Sequence, residues 1–269
     1  MSTSIKQTPG SLQGLFQLVQ RLETNVSNGL LNLKHLKQPQ IVTDLSKAMN
    51  LSEDAAAQKG IIDVVTKYVN DLPKQSQNQT LDTRQMALVA SDLRNFLEQY
   101  QGKVSGEFAS RFQRIHQGAV GKLEAEAEIE FAKDLMQNRT ILGGGKVEGV
   151  LEVAGRKNPE FLFRSGDGSI RAIEVKTLTT SSLERIPGRL SEAAEQIEAL
   201  SGSVTQRGLI RVNLNTNPPL WSVADLRQTI ETWALSSINK SRVEFVEFIY
   251  YDEAGVLRKI IFRNGKLVT

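Results

Sequence analysis

The chain has 269 residues, of which 33 are Lys or Arg, 30 are Asp or Glu, 40% are hydrophobic and none is Cys. At about 100–200 residues per domain, this length favours two domains, each large enough to bury a core. The absence of Cys excludes disulfides, thiolate zinc sites and a cysteine nucleophile. The formal net charge of +3 is too small to indicate nucleic-acid binding by itself.

The start of the chain carries no recognisable targeting signal. Its first 25 residues lack the basic start, the apolar run and the small-residue cleavage site of a secretory signal. No stretch approaches the roughly 18 consecutive apolar residues that a membrane helix needs. These features predict a cytoplasmic location, without insertion into a membrane.

The first part of the sequence has the pattern of amphipathic helices. Apolar residues recur at helical spacing from Ser11 to about Tyr100, as in Leu12, Leu15 and Val19. We therefore predict an N-terminal helical bundle over residues 1–115, with a role in binding or delivery. The residues predicted to begin helices by capping are Asp44, Ser52 and Asp82.

Beyond residue 145 the pattern changes to short strands separated by turns and two helices. A helix at Val120–Met136 precedes them. The order of elements suits an α/β domain over residues 116–269, with a central mixed sheet flanked by helices. The fold class of the whole chain is therefore α+β. The predicted strands are 147–153, 160–164, 171–178, 208–213, 243–251 and 256–262, and the predicted helices between them are 190–200 and 223–235.

One predicted hairpin carries residues suited to metal chemistry. Glu174 and Lys176 share one face of their strand, because strand side chains alternate. A turn at residues 165–168 brings Glu160 towards Glu174. Two converging carboxylates form a site for a hard cation such as Mg²⁺, and the lysine is placed to orient water or stabilise charge on a phosphate. The alternative is an ordinary cross-face pair at a sheet edge, because Glu-x-Lys occurs by chance in many strands.

The helix over residues 120–136 offers a third carboxylate. On a helical projection, Glu128 lies within the apolar face formed by residues such as Phe131 and Leu135. A buried carboxylate requires a metal, a cation or hydrogen bonds. Glu128 is therefore a candidate metal ligand, and the alternative is an acid that pairs with a lysine.

Two arginines beyond the Glu174 strand are candidate phosphate contacts. Arg185 and Arg189 carry planar guanidinium groups that match phosphate oxygens, although solvated helix charges are an equally good interpretation. Residues 121–269 contain 20 basic and 20 acidic side chains. This balance favours a compact substrate held by few phosphate contacts over a long duplex.

The second domain resembles the PD-(D/E)XK nuclease superfamily. The resemblance rests on the helix that carries an acid, the Pro159-Glu160 start of a strand, the hairpin, Glu174-Val175-Lys176, and a helix containing Gln196-Ile197. Residues 120–269 also resemble the C-terminal nuclease domains of contact-dependent growth inhibition and related polymorphic toxins. The resemblance does not extend to the helical half.

This resemblance implies a role for each matching residue. Glu160 corresponds to the first acid of the motif, Glu174 to the second and Lys176 to its lysine. Glu128 corresponds to the helix acid, and Gln196 to the supporting polar residue. The implied catalytic set is thus these five residues, and the implied metal ligands are the three glutamates. The first acid is normally Asp, so the longer Glu160 side chain predicts reduced activity or an altered metal preference.

The sequence therefore predicts an Mg²⁺- or Mn²⁺-dependent endonuclease. The toxin resemblance favours RNA, and tRNA in particular, and implies an acidic immunity protein as a partner. It also implies delivery into the cytoplasm of another cell if the chain is a toxin fragment. The alternatives are a DNA endonuclease of the repair or restriction type, and a catalytically degenerate nuclease fold that binds nucleic acid or protein. The sequence does not determine the oligomeric state.

Overall fold

The structure is a computed structural model, and it describes residues 38–52, 54–71, 82–118, 121–151, 158–178, 182–214, 222–236, 242–251, 254 and 256–268. The predicted helical pattern that begins at Ser11 starts outside these residues. The described residues include seven α-helices and eight strands, in agreement with the predicted α+β class. The chain divides into two compact units, Met1–Ala125 and Glu126–Thr269, while the sequence predicts a boundary between residues 115 and 116.

The first unit is mainly helical in its described part. Its helices bury apolar faces, and Phe96 lies at the centre of an aromatic group with Tyr100, Phe108 and Phe112, at ring-centroid distances of 5.1–5.5 Å. Its elements are α1 (Gln38–Leu51), α2 (Ala55–Asp71), α3 (Thr83–Gln99), β1 (Val104–Gly106), α4 (Ala109–Gln117) and the start of α5 (Lys122–Met136).

Of the three predicted helix starts, one is confirmed and two are wrong. Asp82 caps α3, since its side chain accepts a hydrogen bond from the Gln85 backbone N–H at 2.7 Å. Asp44 lies inside α1, where it is buried and forms an ion pair with Arg94. Ser52 follows the end of α1, and its hydroxyl donates to the Ala48 carbonyl at 2.8 Å. A buried counter-charge therefore explains Asp44 better than capping does.

The second unit is built on a mixed β-sheet, and helices connect its parallel strands. Strands β2 to β8 lie side by side in chain order. β4, β5 and β6 run parallel to one another, and the other neighbouring pairs are antiparallel. The elements after α5 are β2 (Gly145–Gly149), β3 (Phe161–Ser165), β4 (Ile170–Thr177), α6 (Ile186–Glu198), β5 (Gly208–Asn213), α7 (Val223–Ser236), β6 (Val243–Tyr251), β7 (Leu257–Arg263) and β8 (Lys266–Val268).

Helices α6 and α7 cover one face of this sheet. Their apolar residues pack in one core with alternate residues of the parallel strands, including Ala172, Ile210 and Phe248. Since Glu174 and Lys176 alternate in step with Ala172, their side chains project from the same face. The core thus places the two residues against α6. None of the described helices has the length and hydropathy to cross a membrane.

A prediction concerns Gly145 at the start of β2. A Cβ atom at this position would lie 2.7 Å from the Phe163 ring and would also meet the Arg164 carbonyl oxygen. We expect Gly145→Ala to lower the free energy of unfolding by about 1–3 kcal/mol, because overpacking forces the strand pair apart. Urea denaturation measures this change. Gly166→Ala in the exposed turn, where a Cβ meets no atom within 4 Å, is the control. An equal effect of both substitutions would contradict the close approach of β2 and β3.

Candidate active site

A buried carboxylate lies at the centre of the candidate site. Glu174 is 0% exposed in the middle of β4. Its Oε1 lies 2.6 Å from Lys176 Nζ, which makes an ion pair, but neither oxygen accepts a well-directed hydrogen bond among the described residues. Burial of a carboxylate without hydrogen bonds is costly, because the charge loses its hydration. Glu174 therefore keeps lone pairs available for another ligand.

Lys176 is held between Glu174 and helix α6. Its ammonium donates a hydrogen bond to Gln196 Oε1 at 2.6 Å, and Gln196 Nε2 donates to the Asn158 carbonyl oxygen at 3.1 Å. The lysine side chain is 20% exposed. The ammonium is thus fixed on one side by the protein while part of the side chain reaches solvent.

Glu160 lies across from Glu174 at the start of the hairpin. Phe161, the first residue of β3, pairs with Ile173 of β4, so Glu160 and Glu174 are the residues next to this pair at the open end of the hairpin. The Glu160 carbonyl accepts a hydrogen bond from the Val150 N–H at 3.0 Å, which continues the β2–β3 pairing through this residue. The charge of Glu160 raises the pKa of Glu174, so the two carboxyl groups lie within electrostatic reach of each other. The two carboxylates consequently share one end of the hairpin.

Helix α5 supplies the third acid within electrostatic reach. Glu128 is 2% exposed, whereas Glu124, one turn earlier, is exposed. The pKa of Glu174 is raised from 4.5 to about 8, first by burial, then by the charge of Glu160 and to a smaller extent by that of Glu128. The nearby Lys176 ammonium opposes this rise. The three acids and the lysine therefore act on one another electrostatically.

The structure brings five predicted residues into one neighbourhood and leaves the two arginines outside it. Arg189 pairs with Glu192 at 2.9 Å on the exposed side of α6, and Arg185 is exposed just before that helix. Among the described residues, neither arginine contacts the three glutamates or the lysine of the candidate site.

The donor set fits a hard divalent cation in its chemistry. Glu174 offers two carboxylate oxygens, of which Oε1 is in an ion pair with Lys176 and neither accepts a well-directed hydrogen bond among the described residues. Mg²⁺ is held by one or two carboxylates while it keeps several waters. Among the described residues, however, no three His, Cys, Asp or Glu side chains form a ready-made metal-binding group.

A second charged cluster was not predicted from the sequence. Arg211 is buried in β5 and binds Glu247 of β6 and Asp134 of α5. A signal was present in the sequence, because Arg211 and Glu247 each interrupt an apolar strand, and a charge in such a position requires a partner.

Comparisons with known proteins give no identification. No family model, no curated protein and no solved structure matches the chain. The functional argument therefore rests on the residues and their geometry.

The raised pKa of Glu174 predicts how stability depends on pH. Between pH 4.5 and about 8 the folded state binds more protons than the unfolded state, so the free energy of unfolding falls as the pH rises through this window. Melting temperatures measured in EDTA from pH 5 to pH 8 should fall more steeply for the wild type than for Glu174→Gln, which cannot ionise. Parallel slopes for the two proteins would show that Glu174 is not held protonated by its surroundings.

Proposed function

We propose that the second unit is a metal-dependent endonuclease that hydrolyses phosphodiester bonds in RNA, with tRNA as the favoured substrate. One observation carries the proposal: Glu174 is fully buried, lacks well-directed hydrogen bonds, and lies 2.6 Å from a lysine that Gln196 also holds. An apolar pair of residues would stabilise the core at lower cost, because removing charges from water is expensive. A catalytic role accounts for the retention of these two ionisable groups.

Each residue of the site has a distinct role in this proposal. Glu160, Glu174 and Glu128 would hold Mg²⁺ or Mn²⁺. A bound ion of this kind supplies Lewis acidity that polarises a phosphoryl oxygen and activates water at neutral pH. Lys176 positions the attacking water and stabilises the negative charge that develops on the phosphate. Gln196 holds the lysine in place through its 2.6 Å hydrogen bond and its own bond to Asn158.

The choice of RNA comes from the toxin resemblance of residues 120–269 and from their balance of 20 basic and 20 acidic side chains. Since nearly every basic side chain is balanced by an acidic one, few cations are available to bind phosphates, which suits a small, folded substrate better than a long duplex. An acidic immunity protein that covers the site is the corresponding partner. A DNA endonuclease of the repair or restriction type is the alternative, and a preference for plasmid DNA over tRNA would support it.

A catalytically degenerate nuclease fold is the second candidate function. The observation that favours it is that the described residues include no three-ligand group ready to hold a metal. The longer Glu160 carboxylate, in place of the usual Asp, gives a physical reason for such a loss. Glu160→Asp distinguishes the two, since gain of cleavage in this variant by an otherwise inactive protein would identify a degenerate site.

Cleavage assays test the nuclease proposal. The purified chain is incubated with total tRNA or plasmid DNA in Mg²⁺, Mn²⁺ or EDTA. We expect metal-dependent cleavage of tRNA that falls at least about a hundredfold in both Lys176→Ala and Glu174→Gln. The first removes the cation that stabilises the developing charge, and the second removes a proposed metal ligand.

The matched controls lie on β2. Lys146→Ala and Glu148→Gln change the same kinds of residue at exposed positions of the same sheet, and both should cleave at the wild-type rate. Retention of wild-type activity by both Lys176→Ala and Glu174→Gln would refute the assignment of the site.

A further inference from the structure

The sheet face opposite Glu174 carries a network of charges centred on Arg211. The guanidinium binds Glu247 Oε2 through Nε at 3.1 Å and through a terminal nitrogen at 3.0 Å, and it binds Asp134 at 2.8 Å. It also stacks on Phe131, with 3.5 Å between its central carbon and the ring centroid. These contacts join helix α5 to strands β5 and β6.

Two further cations share the same carboxylates. Arg139 lies 3.0 Å from Asp134, and Lys259 lies 3.5 Å from Glu247 and 3.9 Å from Asp134. Three cations therefore face two carboxylates, which leaves one positive charge in excess. The side chain of Arg139 is 57% exposed, so this excess charge is accessible from solvent.

This network forms part of a cleft of about 300 Å³. Its wall on α5 carries Lys133 and Glu130, whose charges balance each other, and its apolar part consists of Ile249 and Leu257. Asn213 lies at the end of β5, beside the apolar part. The cleft thus combines apolar surface, an amide and accessible cations, which is the composition of a site for a polar ligand with a flat apolar portion.

The lining of the cleft includes Asn213 at the carboxyl end of β5, next to the end of β4 that carries Lys176. Lys176 pairs with Val212, and the next residues, Thr177 and Asn213, pair with each other. Asn213 is therefore one strand and one residue away from Lys176. The Thr177 hydroxyl, on the cleft side of β4, is buried and has no hydrogen-bond partner among the described residues. A ligand that crosses the carboxyl ends of β4 and β5 would reach both sites.

We propose that this cleft binds a nucleotide in a single-stranded segment of the RNA substrate, next to the scissile phosphate. The proposal rests on the nuclease function proposed above and adds a substrate subsite to it. Arg139 and Lys133 bind phosphate oxygens, and Ile249 and Leu257 contact the face of an unstacked base. A volume of about 300 Å³ matches the small end of ligand sites, which suits one unstacked base of single-stranded RNA, whose bases are splayed out.

Binding measured without cleavage tests this subsite. A labelled single-stranded RNA oligonucleotide is titrated with the full chain in EDTA, and its fluorescence anisotropy is followed at several salt concentrations. Loss of one phosphate contact removes about 0.7 from the slope of log K against log salt and weakens binding about fivefold at 0.1 M salt. We expect changes of this size for Arg139→Gln and again for Lys133→Gln.

Controls separate the subsite from the catalytic proposal. Lys266→Gln removes an exposed positive charge on β8 and should leave the affinity within twofold of the wild type. The subsite would be overturned if Arg139→Gln and Lys133→Gln both kept the wild-type affinity and salt dependence. It would also be overturned if they lost no more affinity than Lys266→Gln. Tighter binding of the matching DNA oligonucleotide would overturn its assignment to RNA.

The two proposals fail in different ways. If the subsite is wrong but the nuclease is right, the wild type cleaves tRNA and Lys176→Ala does not, while the cleft variants bind normally. If the nuclease is wrong but the cleft binds RNA, Lys176→Ala and the wild type behave alike in cleavage assays, while Arg139→Gln still weakens binding.

Discussion

The burial of Glu174 is the constraint on which the second unit depends. A carboxylate in the middle of a sheet strand loses its hydration, and the neighbouring elements each compensate for part of that loss. β4 provides Lys176 two residues later and α6 provides Gln196 to hold the lysine, whereas the negative charge of Glu160 opposes the ionisation of Glu174. These contacts leave both Glu174 oxygens without well-directed hydrogen bonds from the described residues, and burial is the main reason that the pKa of Glu174 is raised to about 8.

The two faces of the same sheet offer an internal comparison. Arg211 is as inaccessible to solvent as Glu174, yet it has three hydrogen bonds to carboxylates and stacks on an aromatic ring. Arg211 thus has a structural role, because it joins α5 to the sheet. In contrast, neither side-chain oxygen of Glu174 accepts a well-directed hydrogen bond among the described residues. Since Phe131 and Asp134 follow Glu128 on α5, the Arg211 contacts also fix the helix that places Glu128 near the candidate site. Contacts on one face of the sheet thereby hold the helix that carries one residue of the candidate site.

Local sequence patterns were sufficient to predict the hairpin, but they could not predict contacts between residues that are distant in the sequence. The alternation from Ile173 to Lys176 and the glycine-containing turn at residues 165–168 define one register, so the relation of Glu160 to Glu174 could be read from the sequence. The supporting role of Gln196 was predicted only from the resemblance to the nuclease superfamily. The partnership of Arg211 with Glu247 depends on parallel pairing between strands 36 residues apart, which no local pattern encodes. Asp44 was misassigned for the same reason, because its partner Arg94 is distant in sequence.

Direct measurement of metal binding tests the central claim, that buried Glu174 has its oxygens available for a divalent cation. Isothermal titration calorimetry of the full chain with Mn²⁺ at pH 8, where the Glu174 carboxyl can ionise, compares the wild type with Glu174→Gln and with Glu148→Gln, an exposed control on β2. We expect saturable Mn²⁺ binding in the wild type and in Glu148→Gln, and no such binding in Glu174→Gln. Equal binding by all three proteins, or no binding by the folded wild type, would contradict it.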